Sequence, residues 1–222
     1  MGADTRSRMS RKSSNPLALA VLSCLFEKPM HPYEIAATLR ERHKDESIKL
    51  NYGSLYAVVE GLQRRRLIEA GETLREGNRP ERTVYSLTDA GRIELIDWLS
   101  ELISQPAKEF TQFEAGLSLM PVLLPEEVVR LLEERRKRLE IEVAQAASLR
   151  GLLAPELPRL FFVEAEYRWK LKEAELDFVR ALIDDIVSGR LEGLDFWRKA
   201  HQALERGEPR PELPQPYSSS RD

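Results

Sequence analysis

The chain has 222 residues, 42% of them hydrophobic and 32% charged, with a formal net charge of −3. That length suits one small domain with a helical extension and excludes two large domains, and the composition is that of a folded, soluble chain. A net acidic chain can bind nucleic acid only through a local basic face.

Residues 1–14 carry Arg6, Arg8, Arg11 and Lys12 among serines, with little apolar content. They are expected to be a disordered basic arm, with no cleavage site of a secretory leader. Pro16–Phe26 is the first predicted helix: Pro16 stands where its missing N–H costs little, and Leu17, Val21, Leu22 and Leu25 make a core-facing stripe. At eleven residues this run is too short to span a bilayer. It contains the only cysteine, Cys24. One cysteine excludes an intrachain disulfide and suits a reducing cytoplasm. Cys24 is either a small buried hydrophobe or a redox-sensing thiol.

His31-Pro32-Tyr33-Glu34 opens a second helix, with Tyr33, Ile35, Ala36 and Leu39 on its apolar side. A third starts near Asn51-Tyr52-Gly53-Ser54, buries Leu55, Val58, Val59 and Leu62, and ends near Arg64-Arg65-Arg66. The period then changes. Leu67–Ala70 is a predicted strand, Gly71–Arg82 a loop, and Thr83–Leu87 a second strand. Thr88 caps a fourth helix, whose apolar positions are Ile93, Ile96, Trp98, Leu99 and Leu102.

Beyond Gln105-Pro106 the chain is predicted to be nearly all helix. Phe113–Met120 is a short helix stopped by Pro121. Pro125–Leu153 is a long one with a stripe of Val128, Leu132, Leu139, Val143 and Ala146, broken by Arg135. Leu160, Val163, Tyr167, Leu171, Ala174, Phe178, Leu182 and Ile186 mark one face of the next, closed by Ser188-Gly189. Leu191–Glu205 is a last short piece. The proline-rich end, 207–222, is expected to be disordered.

Three short helices followed by a hairpin describe a winged helix, in which the third helix enters the major groove and the wing touches the flanking backbone. The fold class expected is mainly α with a small β wing: a winged helix-turn-helix over 15–104, then a helical dimerisation domain over 105–206. Asn51, Tyr52, Ser54 and Tyr56 sit at the phosphate-attracting N-terminal end of the third helix and are candidate DNA contacts. Asn51 or Ser54 could equally be a helix cap, and the tyrosines packing residues. Arg75, Arg79 and Arg82 in the wing are candidate backbone or minor-groove contacts. Arg64–Arg66 suit a helix C-terminus as well as they suit phosphate.

Three blocks make the pattern specific. Asn51–Arg66 with its Gly-Ser-Leu-Tyr, Arg82–Gly91 (RTVYSLTDAG) and His31-Pro32-Tyr33-Glu34-Ile35 resemble, in the same order, segments of PadR-family regulators. The resemblance covers about residues 16–104. It implies a dimeric winged-helix repressor of double-stranded DNA, with Tyr52, Ser54, Tyr56 and the wing around Arg79 in the DNA-reading region. It also implies control by a small effector, apolar or aromatic. Phe110, Phe113, Phe161, Phe162, Trp169 and Trp197 could line a pocket, although ordinary helix packing is the simpler account of each.

Other classes fit less well. His31, His43 and His201 lack metal-ligand spacing, and no phosphate-cradling glycine loop or nucleophile elbow is present, so no cofactor and no catalysis are expected. A winged helix that binds protein rather than DNA is the serious alternative, because fold alone does not fix function.

Overall fold

The computed structural model describes residues 15–74, 82–153, 155–209 and 211. The chain divides into two compact units, 1–108 and 109–222. Among the described residues the elements are eight α-helices, one two-stranded antiparallel sheet and three short 3-10 turns. None of these helices is long and apolar enough to cross a membrane.

The first unit comprises α1 (Pro16–Glu27), α2 (Pro32–Glu41), α3 (Tyr52–Arg64), β1 (Ile68–Leu74), β2 (Arg82–Leu87) and α4 (Asp89–Ser104). Each helix starts on a cap supplied by the sequence. Asn15 Oδ1 accepts from Leu17 N at 3.1 Å, and Thr88 Oγ1 from Gly91 N at 3.0 Å. His31 takes the usual serine slot of a capping box: its Nδ1 accepts from Tyr33 N at 3.1 Å, and Glu34 accepts from His31 N at 2.8 Å. The core joins Leu17, Val21, Leu22 and Leu25 of α1 to Ile35 and Leu39 of α2 and to Leu55, Val59 and Leu62 of α3. Full burial of one such leucine contributes about 2 kcal/mol. Cys24 is buried in the same core, and that burial pushes its thiol pKa up to about 11. Tyr33, expected on the apolar side of α2, is exposed.

The wing is longer than its sequence suggests. β1 continues through Gly71–Leu74, a segment read above as loop, and pairs Leu74 with Arg82. Gly71 and Glu72 oppose Val84 alone, which makes a bulge. A Cβ on Gly71 would lie 3.4 Å from Val84 O. Met30, between α1 and α2, exchanges both backbone hydrogen bonds with Tyr85 (3.1 and 3.0 Å) and adds a one-residue third strand. On α4 the buried residues are Gly91, Leu95 and Trp98. Ile93, Ile96, Leu99 and Leu102, the other apolar positions of this helix, are exposed, because α4 turns only one narrow side to α1.

The second unit comprises α5 (Gln112–Leu119), α6 (Pro125–Leu153), α7 (Val163–Val187) and α8 (Leu194–Glu205). Pro121 lies in a 3-10 turn that continues α5. α6 and α7 pair antiparallel: Val128, Leu132 and Leu139 meet Leu176, Val179, Ile183 and Ile186. Arg180 bonds Glu140 at 2.9 Å across this seam, and Lys172 pairs with Glu142. Arg135 interrupts the α6 stripe without leaving the seam. Its Nε donates to Glu175 at 2.6 Å and its guanidinium lies 3.7 Å above the Phe113 ring. α8 seals one end with Leu194 and Trp197, whose Nε1 donates to Leu123 O at 2.8 Å.

The α7 stripe differs from its expectation. Trp169, Leu176, Val179, Ile183 and Ile186 are buried, whereas Leu160, Val163, Tyr167, Leu171 and Phe178 are exposed. Only Ile186 and the partly buried Leu182 of the expected stripe pack into the core.

Candidate nucleic-acid interface

The geometry of α3 is set at both ends. At its start Asn51 Oδ1 accepts from Ser54 N at 2.7 Å. Asn51 is therefore the cap, and its amide NH2 group is left as a donor. At its end Arg66 N donates to Gln63 O (2.8 Å) and Leu67 N to Leu62 O (3.0 Å). That is the Schellman pattern, with buried Leu62 and Leu67 in contact positions. Its left-handed position, normally glycine, is Arg66 at φ 59°.

Burial of Leu55, Val59 and Leu62 decides which side of α3 faces outward. The opposite side presents Gly53, Ala57, Glu60 and Arg64, all exposed, flanked by Ser54 and the half-exposed Tyr56. A Cβ on Gly53 would touch only Asn51 Oδ1, at 3.9 Å. Packing within the unit does not require that glycine, and it costs a helix about 1 kcal/mol relative to alanine. With Ala57 it leaves a low surface along which another molecule can approach the backbone.

Tyr52 is the first residue of α3, and Arg82 pairs with Leu74 at the start of β2. Arg75 and Arg79 fall outside the described residues. Ala57 and Glu60 join this surface, although neither is among the candidate contacts read from the sequence. Their signal was available, since both fall opposite the buried stripe at helical spacing.

Neighbouring contacts hold this surface in place. Thr88 Oγ1 lies 2.9 Å from the carbonyl oxygens of both Arg66 and Leu67. Arg65 donates to Glu94 of α4 at 3.0 Å. Arg42, just past α2, grips Glu27 at the end of α1 through both guanidinium nitrogens (2.5 and 2.8 Å). The hydrogen bond from Arg42 holds the Glu27 carboxyl below its ordinary range.

Residues 21–97 match the family model described as the transcriptional regulator PadR-like family. The chain carries a PadR-like winged helix. No curated protein matches it. Among solved structures, Bacillus subtilis PadR in complex with operator DNA is 18% identical with a TM-score of 0.59, over 79% of this chain and 99% of that one. The same protein with p-coumaric acid is 19% identical with a TM-score of 0.60, over 77% and 98%. The Vibrio cholerae virulence activator AphA is 17% identical with a TM-score of 0.56, over 78% and 98%. At these identities the likeness is one of fold. It extends beyond the PadR-like domain into the helical unit.

The six aromatic residues considered for an effector pocket do not converge. Phe110 and Phe161 are exposed. Phe162 packs on Trp169 with ring centroids 6.5 Å apart, and Phe113 meets Phe178 edge-on at 6.4 Å. Trp169 and Phe113 line separate open grooves of about 310 and 540 Å³.

Proposed function

We propose that the chain is a sequence-specific DNA-binding transcriptional regulator that acts as a homodimer and represses its target. The outward face of α3 carries this proposal. It is a capped helix N-terminus with amide and hydroxyl donors beside a low Gly53–Ala57 surface, in a PadR-like winged helix. Such an end attracts phosphate and can bring polar side chains to base edges. Asn51, Tyr52, Ser54 and Tyr56 are the proposed helix contacts, and Arg75, Arg79 and Arg82 the proposed wing contacts.

Two half-sites read by two copies supply the specificity that one small domain lacks. Repression, the homodimer and a cytoplasmic setting follow from the family resemblance and the DNA partner. A small aromatic effector is proposed from the likeness to PadR with p-coumaric acid. The sign of regulation is open to direct measurement, since a virulence activator shares the fold.

The test is a titration against DNA upstream of the protein's own coding sequence at several salt concentrations, beside Tyr56→Ala and Arg79→Ala. Site-selective binding that falls with salt and weakens in both variants supports the proposal. Failure to select any genomic DNA would overturn it in favour of a protein-binding winged helix. A reporter driven by the selected site gives the sign.

A further inference from the structure

The outermost line of α3 carries an acid. At about 100° per residue, Gly53, Ala57, Glu60 and Arg64 fall within roughly 60° of one another, opposite the buried Leu55, Val59 and Leu62. Gly53 has no side chain and Ala57 only a methyl group, so Glu60 is the first long side chain on that line from the N-terminal end. It is exposed, and among the described residues its carboxylate has no hydrogen-bond or ion-pair partner. Arg64, one turn further on, does not pair with it. A carboxylate on a surface that meets a groove walled by phosphates costs affinity through repulsion. It stabilises a complex only where a base offers it a donor.

We propose that Glu60 reads a cytosine in the major groove, its carboxylate accepting from the N4 amino group. The proposal rests on the DNA-binding reading above and names a base for it. Guanine and thymine offer no donor on that edge, and their acceptors repel a carboxylate. Adenine presents its N6 amino group beside the N7 acceptor, so a carboxylate that accepts from N6 also meets a lone pair. Cytosine presents a donor with no acceptor on the same base. The low Gly53–Ala57 surface serves the same contact, since it lets the backbone of α3 approach the groove floor and brings a glutamate side chain within reach of the base edges.

Selection of the full chain on randomised duplex DNA, followed by titration, tests this. The wild-type site is expected to hold a cytosine–guanine pair whose preference Glu60→Ala loses, with the other positions unchanged. Replacing that cytosine with 2-pyrimidinone, which lacks the amino group, should weaken wild-type binding about tenfold, the usual scale of one mismatched pair, and leave Glu60→Ala unaffected. Glu60→Ala should also bind random DNA more tightly than the wild type, since a repelling charge is gone. Glu60→Gln keeps the shape and gains a donor, and should shift the preferred pair to adenine–thymine. Thermal denaturation of both variants should match the wild type, because the position is exposed.

A wild type that selects no DNA overturns the regulator reading itself. Identical base preferences in the wild type and Glu60→Ala leave that reading standing and overturn the role of Glu60. Loss of an adenine–thymine pair in Glu60→Ala, or equal sensitivity of both proteins to 2-pyrimidinone, overturns the cytosine contact.

Discussion

A Cβ on Gly91 would stand 2.0 Å from the carbonyl oxygen of Leu67. Gly91 lies in the first turn of α4, and Leu67 follows the end of α3. The same carbonyl accepts from Thr88 N at 3.1 Å and from the Thr88 hydroxyl at 2.9 Å. The backbone cannot retreat from a new methyl group without losing those bonds. Gly91→Ala is expected to cost about 3 kcal/mol, the upper end for overpacking. Urea denaturation of the full chain checks this through the transition of the first unit. A loss below about 1 kcal/mol, the bottom of that range, would show that α4 slides freely on α3.

Arg66 poses the opposite problem. It holds a left-handed conformation that disfavours any side chain by about 1 kcal/mol, where glycine has no penalty. Arg66→Gly is therefore expected to stabilise the unit by about that amount. The proposed DNA complex gives the arginine a compensating use, a phosphate contact at the foot of α3. The variant should then bind DNA more weakly, with a salt slope shallower by about one. Higher stability with unchanged binding would deny Arg66 that role.

Burial of Cys24 predicts a pH effect with a definite sign. The native thiol holds its proton up to about pH 11, whereas the unfolded thiol releases it near 9.0. Below that window both states are protonated and the thiol contributes no pH dependence. Within it the folded state binds the extra proton, so stability falls as pH rises, by at most about 1.4 kcal/mol per pH unit. Denaturation at pH 8 and pH 10.5 should show a drop that Cys24→Ala lacks. Alkylation at pH 8 should be negligible until the chain unfolds.

Periodicity resolved the core faces of α1 and α3 well, because the apolar stripe of each is also packed in the core: Leu17, Val21, Leu22 and Leu25, then Leu55, Val59 and Leu62. It did less well where a helix has more apolar residues than its protomer can cover. On α4 and α7 the more conspicuous stripes, around Ile93–Ile96 and Val163–Phe178, are the exposed ones. Spacing reports that a face is apolar, not what covers it. The end of β1 was hidden by Gly71, Glu72 and Thr73, which have the composition of a loop yet extend the ladder around a bulge. Arg66 was hidden because sequence rules expect glycine in its place. At the candidate interface the sequence offers Asn51 as one of two cap residues, whereas the low Gly53–Ala57 surface emerges only once the buried side of α3 is known.

Asn51 combines a cap and a proposed DNA donor in one side chain, and two substitutions separate them. Asn51→Ala removes the acceptor for Ser54 N and should cost about 1 kcal/mol of stability along with DNA affinity. Asn51→Asp keeps an oxygen in the capping position and places a negative charge at the positive end of α3, so stability should be unchanged or slightly higher. The same change replaces the amide donor with a carboxylate facing phosphate. Binding should therefore fall at least as far as in Asn51→Ala, despite the intact helix. Thermal denaturation beside a DNA titration of both variants decides the matter. If Asn51→Asp binds DNA as the wild type does, Asn51 is a cap alone and the polar contacts of α3 begin at Ser54.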